Sequence, residues 1–179
     1  MAGHSHWKQI KEHKGVADQK RARVFSKLLS SIAVAARNDP NPQFNPRLKA
    51  AIDKAKEYQV PQDNIDRAIK HSLEKNQELE ELLIEAYGPE GIAIIIEAIT
   101  DSRNRTLGEV KLALKDHEAK LAEPGSVRWA FTEPAKPGEE WQPKFEQDLT
   151  ENGKKKLRAL LEKFESLSDI QKTYTNAKW

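Results

Sequence analysis

The sequence predicts an α+β protein in which an N-terminal three-helix domain precedes a small β-β-α-β-α-β domain with a mixed or antiparallel sheet. The first observation is that apolar residues recur every three or four positions from Val16 to Leu73, the period of amphipathic helices. The second is a change of pattern after the charged segment 75–81, where β-branched runs flank a Gly-Pro-Glu-Gly turn at 88–91. We therefore expect a basic arm with a helical bundle over residues 1–78 and an α+β domain over residues 79–179.

Proline marks the turns between the three N-terminal helices. The first helix is expected from Val16 to about Arg37, because the Pro-Asn-Pro segment at 40–42 cannot continue it. The Asn-Pro pair at 45–46 supplies a cap and a first helical residue for the second helix, and the Val-Pro pair at 60–61 introduces the third. The expected buried positions are Val24, Phe25, Leu28, Leu29, Ile32, Ala33 and Ala36, then Leu48, Ala51, Ile52, Ala55 and Tyr58, then Ile65, Ala68, Ile69 and Leu73.

The second domain is predicted from alternating apolar runs and turn signals. We expect Trp129 and Trp141 to pack in the core or against loops rather than to present a surface to a nucleic-acid base. The expected elements are strands at 82–87 and 92–99, a helix capped by Thr106 and ending near His117, a strand at 127–131, a proline-marked loop at 132–148, a helix from Thr150 and a strand at 169–175.

Charge is distributed unevenly along the chain. Residues 1–75 carry 15 basic and 8 acidic side chains, a difference of +7, while residues 76–179 carry 15 basic and 20 acidic ones, a difference of −5. The first 27 residues hold seven of the cations against two acids, together with three histidines and Trp7. A mobile basic arm with one flat ring suits a nucleic-acid backbone, because cations displace counterions and the ring can stack on a base. The alternative is a basic helix surface that is merely solvated.

We predict nucleic-acid contacts first from this arm and second from the outer faces of the second and third helices, where interleaved acids would hold some cations in weak surface pairs. The predicted contact residues are His4, His6, Trp7, Lys8, Lys11, Lys14, Lys20, Arg21, Arg23 and Lys27 in the arm, and Arg47, Lys49, Arg67 and Lys70 in the two later helices.

A second polar cluster lies at 101–106, after a strand and at the start of a helix. Arg103 and Arg105 at such a helix start could bind an anion such as phosphate. Equally, Asp101 and Thr106 could cap the turn while the two arginines pair with acids of the same domain. The residues leave both interpretations open.

The sequence favours a protein that is not an enzyme and uses no cofactor. It has no cysteine, no G-x-S-x-G elbow, no phosphate-binding loop and no G-x-G-x-x-G after a strand. His4, His6 and His13 have no acidic ligand beside them, so we expect phosphate contact or exposure there and no metal. No run approaches the roughly 18 apolar residues of a membrane helix. We expect a cytoplasmic protein with no membrane partner and no small-molecule substrate.

Taken together, these motifs resemble those of the YebC/PmpR family, which also includes the mitochondrial translational activator of cytochrome c oxidase. The opening AGHSHWKQIK at 2–11 is similar to the family's AGHSKW-x-NIK start, and DQKR at 18–21 to its D-x-KR. His6 stands where the family usually has lysine. Further signatures follow in order: NPRL at 45–48, VPQDNIDRAI at 60–69, DSRNRT at 101–106, GSVRW at 125–129 and YTNA at 174–177.

The resemblance implies a short form of the family. Typical members carry an additional α/β domain after the GSV-x-W-x-F strand, and here the loop at 132–148 occupies that place. The resemblance further implies a regulator of gene expression, described for the family both as a DNA-binding transcriptional regulator and as a translation factor on ribosomes.

No helix of this sequence presents a clean set of base-reading side chains, so a site on RNA or the ribosome is favoured. DNA-binding transcriptional regulation is the alternative. A protein-interaction adaptor that uses the acidic second half is the second alternative. The sequence leaves the oligomeric state open.

Overall fold

The order of the elements matches the α+β prediction. The structure, a computed structural model, describes residues 4–74 and 79–179, with side chains from residue 17 onward. The predicted domain boundary at 78/79 borders the segment 75–78, which lies outside the described residues. The elements are α1 (His4–Ala36), α2 (Pro46–Glu57), α3 (Gln62–Ser72), β1 (Glu80–Tyr87), β2 (Ala93–Thr100), α4 (Arg103–Asp116), β3 (Lys120–Leu121), β4 (Phe131–Thr132), β5 (Gln142–Pro143), α5 (Glu151–Ser166) and β6 (Ile170–Thr175).

Helix α1 is longer than the apolar pattern predicts. It spans His4–Ala36, 33 residues, although the helical period of apolar residues begins only at Val16. Residues 4–15 contain no proline, and Gly15 alone disfavours the helix by only about 1 kcal/mol, so nothing in that segment stops it. The predicted start at Val16 is therefore wrong by twelve residues, because from His4 onward the basic segment is the first part of α1.

The start of α2 is fixed by Asn45, as predicted. Its side-chain oxygen accepts a hydrogen bond from the amide of Leu48 at 2.9 Å, and its amide nitrogen donates to the carbonyl of Ala35 at 2.7 Å. One buried side chain thus caps α2 and joins it to the end of α1. Pro61 precedes the first residue of α3, also as predicted.

The three helices share one apolar core. Tyr58 and Leu73, expected in that core, are 48% and 58% exposed, because each is the C-cap residue of its helix and lies past the last turn that packs. The buried members are Ile32, Ala35, Ala36, Leu48, Ile52, Ala55, Val60 and Ile65.

The sheet has the strand order β3-β1-β2-β6, and every pair is antiparallel. Strands β1 and β2 form the predicted hairpin, with Glu80 opposite Thr100 and Tyr87 opposite Ala93. In this turn the backbone angle φ is positive at Glu90 (58°) and at Gly91 (80°). Gly91 adopts such an angle without strain, because glycine has no Cβ atom. The two-residue strand β3 was not predicted, because its sequence is too short to show a period.

Helices α4 and α5 cover one face of this sheet. Alternate residues of β2, Ile94 and Ile96, point into that core, where they meet Leu114, Leu160 and Phe164. The intervening residues Ala93 and Ile95 point to the opposite face. A second, smaller core covers part of that face with Val127, Ala130, Phe131 and Trp141.

The predicted strand at 127–131 is wrong. The segment instead forms a single 3₁₀ turn, Arg128–Ala130, and only Phe131–Thr132 continues as a strand, pairing with Gln142–Pro143 inside the proline-marked loop. The cause is the buried carboxylate of Glu85 on β1, which accepts the backbone N–H groups of Gly125 at 2.6 Å, Val127 at 2.7 Å and Arg128 at 2.9 Å. Those amides are therefore not available to a sheet ladder.

Candidate nucleic-acid interface

The exposed cations of the helical bundle are the candidate phosphate contacts. Six of the predicted contact residues precede residue 17, so their side chains lie outside the described residues. They are His4, His6, Trp7, Lys8, Lys11 and Lys14. Five others are exposed and make no ion pair among the described residues: Lys20, Arg21, Lys49, Arg67 and Lys70.

Helix spacing groups these five cations into local patches. Arg67 and Lys70 are three residues apart on α3, so they are neighbours on one helix face. Lys56 lies on the same helix, α2, seven residues after Lys49. It is also exposed and makes no ion pair among the described residues. The guanidinium of Arg21 lies 5.2 Å from the centre of the Phe25 ring, which orients it along α1.

Arg23 and Lys27 are half-buried and contact the other half of the protein. The Lys27 ammonium donates to the carbonyl of Glu165 at 2.9 Å, and the Arg23 guanidinium to that of Ser166 at 3.5 Å. These carbonyls are at the C-terminal end of α5, where the helix dipole favours cations. Burial lowers the pKa of Lys27, the neighbouring Arg23 lowers it further, and the Glu165 carboxylate opposes them. The two cations therefore hold α1 against α5 in this conformation.

Further contacts fix the helical bundle to the sheet. Arg47, a predicted contact residue, forms an ion pair with Glu81 on β1, and Arg37 donates to the carbonyl of Leu79. The Ser31 hydroxyl donates to the side-chain oxygen of Gln171 at 3.2 Å. The predicted cationic residues thus divide into a set that faces solvent and a set that joins the two halves.

An open groove of about 1540 Å³ lies between the helical bundle, the sheet and the proline-marked loop. Its lining mixes cations such as Lys20 and Lys54 with acids such as Glu97, Glu140 and Glu162. Because both signs line it in similar number, the groove is a poor channel for a phosphate backbone.

The turn at 101–106 holds an ion-pair network. Arg105 contacts Asp101 at 2.8 Å and Asp169 at 2.7 Å, and the more exposed Arg103 lies 3.7 Å from Glu80. These contacts agree with the interpretation in which the arginines pair with acids. Anion binding at Arg103 and Arg105 stays a prediction.

Thr106 does not cap α4, contrary to the prediction. The N-cap is Ser102, four residues earlier, and Thr106 is 1% exposed inside the helix. Its hydroxyl donates to the carboxylate of Asp169 at 2.6 Å, and the hydroxyl of Thr100 donates to the same oxygen at 3.1 Å. Although burial by itself raises the pKa of Asp169, hydrogen bonds from Thr106, Arg105 and Thr100 hold it below the ordinary value.

The two central tryptophans have different environments. Trp141 is 5% exposed and belongs to the smaller core, which confirms its predicted packing, and its indole N–H donates to Glu97 at 3.0 Å. Trp129 is 63% exposed and stacks on Phe145 with ring centres 5.5 Å apart. This open pair was not predicted, because a strand at 127–131 would place Trp129 on the same face as Val127 and Phe131, both of which are buried.

Within the described residues, no helix is long and apolar enough to cross a membrane. The same part of the chain brings no three acidic or histidine side chains together as metal ligands. The side chains of His4, His6 and His13 lie outside it.

Comparison with known proteins identifies the family. Residues 5–75 match the TACO1/YebC protein N-terminal domain, and residues 79–137 match the TACO1/YebC second and third domain. A probable transcriptional regulatory protein of Geobacter sulfurreducens is 46% identical over 73% of this chain and 54% of its own length. A protein of the same name from Aquifex aeolicus is also 46% identical, over 73% of this chain and 54% of its own length. The chain thus spans about half the length of the curated relatives it matches.

The fold is shared with a solved structure. The crystal structure of a conserved hypothetical protein from Aquifex aeolicus has a TM-score of 0.80 and 30% identity, covering 90% of this chain and 91% of that one. The curated relatives are named as regulatory proteins and not as enzymes. The two domain matches and these relatives show that the chain belongs to the TACO1/YebC family.

Proposed function

We propose that this chain is a non-enzymatic, nucleic-acid-binding regulator of gene expression that acts in translation, on ribosomal RNA, through its basic N-terminal half. The observation that carries the proposal is the set of cations on α1, α2 and α3 that are exposed and unpaired among the described residues. Cations held without a carboxylate partner keep their full attraction for phosphate, because no internal pair has to be broken on binding. A cytoplasmic location accords with this role.

RNA is favoured over DNA by the form of the basic surface. The exposed cations without an ion pair among the described residues are spread over three helices, with Lys20 and Arg21 on α1, Lys49 and Lys56 on α2, and Arg67 and Lys70 on α3. Such a surface suits phosphates held in an irregular shape, which structured RNA provides, more than the edges of bases in a regular major groove.

Removing Lys20 and Arg21 together should weaken RNA binding. With the Lys20→Ala/Arg21→Ala double variant, we expect the affinity for a ribosomal RNA fragment to fall about tenfold or more at low salt. The slope of log affinity against log salt should become shallower by between about 1.4 and 1.8, because two phosphate contacts no longer release counterions. Fluorescence anisotropy across a salt series measures both quantities.

The matched control removes the same charge from the same helix. In the Arg23→Ala/Lys27→Ala variant the lost cations contact α5 carbonyls, so we expect a binding loss of less than about threefold and a slope closer to that of the parent. Equal losses in both double variants would mean that net charge, and not the exposed side chains of Lys20 and Arg21, sets the affinity.

Transcriptional regulation by DNA binding is the second candidate, favoured by the names of the relatives. A competition experiment separates the two. We expect unlabelled ribosomal RNA to displace a labelled RNA probe at a concentration about tenfold below that of duplex DNA, because cations spread over three helices suit the irregular phosphates of structured RNA. Tighter competition by one duplex sequence than by others would support the DNA alternative. Capture of a protein that survives nuclease and high salt would support the adaptor alternative.

A further inference from the structure

The exposed pair of Trp129 and Phe145 is a flat aromatic surface that the basic helices do not account for. Trp129 is 63% exposed and Phe145 is 42% exposed, and the two ring planes are inclined by 28° with their centres 5.5 Å apart. Trp141 of the same segment is only 5% exposed, so this part of the fold can bury an indole ring. The indole ring of Trp129 is exposed all the same.

The Trp129 ring is held in one position before any partner arrives. Its indole N–H donates to the carbonyl of Ser126 at 2.8 Å, which fixes the ring over the turn. Val127, two residues before Trp129, and Ala130, directly after it, are each 1% exposed and anchor the backbone. A ring held in this way loses little conformational entropy when a planar group stacks on it.

The charge around this aromatic pair is small. Lys144, next to Phe145, is exposed and makes no ion pair among the described residues, and Glu146 lies on the other side of Phe145. Arg128 is already engaged, with Glu133 at 2.9 Å and over the Trp141 ring at 5.5 Å. A partner would therefore gain mainly from the rings, with one ammonium available for a single phosphate.

The pair lies away from the basic helices. Strands β4 and β5 form a short ribbon, with Phe131 opposite Pro143. The tip of that ribbon approaches α2, where a Cβ placed on Gly138 would lie 3.9 Å from the Cβ of Ala50. Trp129 and Phe145 are at the opposite end of the ribbon, so they form a contact separate from the cations of the helical bundle.

We propose that Trp129, backed by Phe145, is a stacking platform for an unpaired base of single-stranded RNA, with Lys144 beside the adjoining phosphate. This inference rests on the proposed function, because it requires that the chain binds nucleic acid. An unpaired base of any type can stack on an indole ring. A paired base cannot, because its faces are covered by its neighbours in the duplex. The platform would give the protein a preference for unpaired RNA next to a structured region.

The test compares the full chain with its Trp129→Ala variant on two probes. One is a labelled single-stranded oligouridylate of about 12 nucleotides, and the other is a blunt RNA duplex of similar charge with no unpaired base. We expect the dissociation constant for the single strand to rise about tenfold and that for the duplex to stay within about twofold. The salt slope should not change, because the lost contact releases no counterion.

Two controls separate stacking from folding. Trp129→Phe keeps an aromatic face, so we expect single-strand binding within about threefold of the parent. Leu112→Ala removes another exposed apolar side chain, 59% exposed on α4, and should leave both probes unchanged. Thermal unfolding of each variant shows that the fold is retained.

Three outcomes would overturn the inference. Unchanged single-strand binding by Trp129→Ala, with weakened binding by Lys20→Ala/Arg21→Ala, would reject the platform and leave the proposed function standing. Loss of self-association by Trp129→Ala in analytical ultracentrifugation, with RNA binding intact, would make the pair a protein contact. Absence of binding by the parent to both probes and to the ribosomal RNA fragment would reject the proposed function and the platform together.

Discussion

Replacing Glu85 by alanine should lower the free energy of unfolding by about 3 kcal/mol, measured by urea denaturation at neutral pH. Glu85 is 5% exposed, and its two carboxylate oxygens accept three backbone N–H groups, from Gly125, Val127 and Arg128, at 2.6 to 2.9 Å. Hydrogen bonds to a charged group stabilise more than neutral ones, and a buried donor left without an acceptor is destabilising. Alanine removes all three acceptor contacts at once.

The effect should spread into the smaller core. The three amides fix the segment that places Val127 and Ala130 against Ile95, so loss of the carboxylate also loosens apolar packing on that face of the sheet. Glu85→Gln keeps one acceptor oxygen but turns an N–H₂ group toward at least one backbone donor. We expect it to lose about half as much stability as alanine does.

Glu80 on the same strand provides the matched control. It is exposed and lies 3.7 Å from Arg103, so Glu80→Ala should change the free energy of unfolding by less than about 1 kcal/mol. If Glu85→Ala unfolds within 1 kcal/mol of the parent, the carboxylate does not hold the segment at 125–128 in the way described.

Glu85 also explains why part of the second domain could not be predicted from sequence. The run from Val127 to Phe131 alternates as a strand does, and period alone predicts a strand. Its amides are taken by a side chain 40 or more residues earlier in the sequence, which no local pattern reveals. The exposure of Trp129 follows from the same contact, because a 3₁₀ turn points that ring outward.

Elements delimited by local chemistry were predictable. The Asn-Pro pair at 45–46 starts α2, and Thr150 caps α5 by accepting the amide of Gly153 at 3.0 Å. The hairpin at 88–91 is set by its own glycines and proline. Each of these signals acts within four residues, where sequence and structure correspond directly.

The contact residues of the candidate nucleic-acid interface could not be predicted from local sequence signals. Charge counting treats Lys20 and Lys27 alike, since both are lysines on one amphipathic helix. Only the tertiary structure distinguishes them, because the C-terminal end of α5 meets α1 at Lys27. Sequence therefore indicates which region is basic, and the packing of the two halves determines which of its cations are exposed.

Replacing Asp169 should be about as destabilising as replacing Glu85. One of its oxygens accepts hydrogen bonds from Thr106 at 2.6 Å, Arg105 at 2.7 Å and Thr100 at 3.1 Å, and so joins β2, α4 and the start of β6. Thr100 and Thr106 are each 1% exposed, so water has little access to their hydroxyl groups when the carboxylate is removed. For Asp169→Ala we expect a loss of about 3 kcal/mol in the free energy of unfolding at pH 7.

The pH dependence of this loss tests its origin. The folded pKa of Asp169 is below the ordinary value of 3.8, so the folded state binds the proton less readily than the unfolded state. The stabilisation is therefore fully present above the ordinary value and is lost as the pH falls through the folded pKa. The difference between the parent and Asp169→Asn, followed by urea unfolding from pH 7 to pH 3, should shrink below about pH 4.

Asp148 is the control for this prediction. Its carboxylate is 87% exposed and lies 3.7 Å from Lys178, so Asp148→Asn should stay within about 0.5 kcal/mol of the parent at every pH in the series. A difference between the parent and Asp169→Asn that stays constant down to pH 3 would show that the hydrogen-bonding geometry of Asp169, and not its negative charge, stabilises the junction. A difference that vanishes with falling pH would assign the stabilisation to the charge, because protonation and the amide then have the same effect.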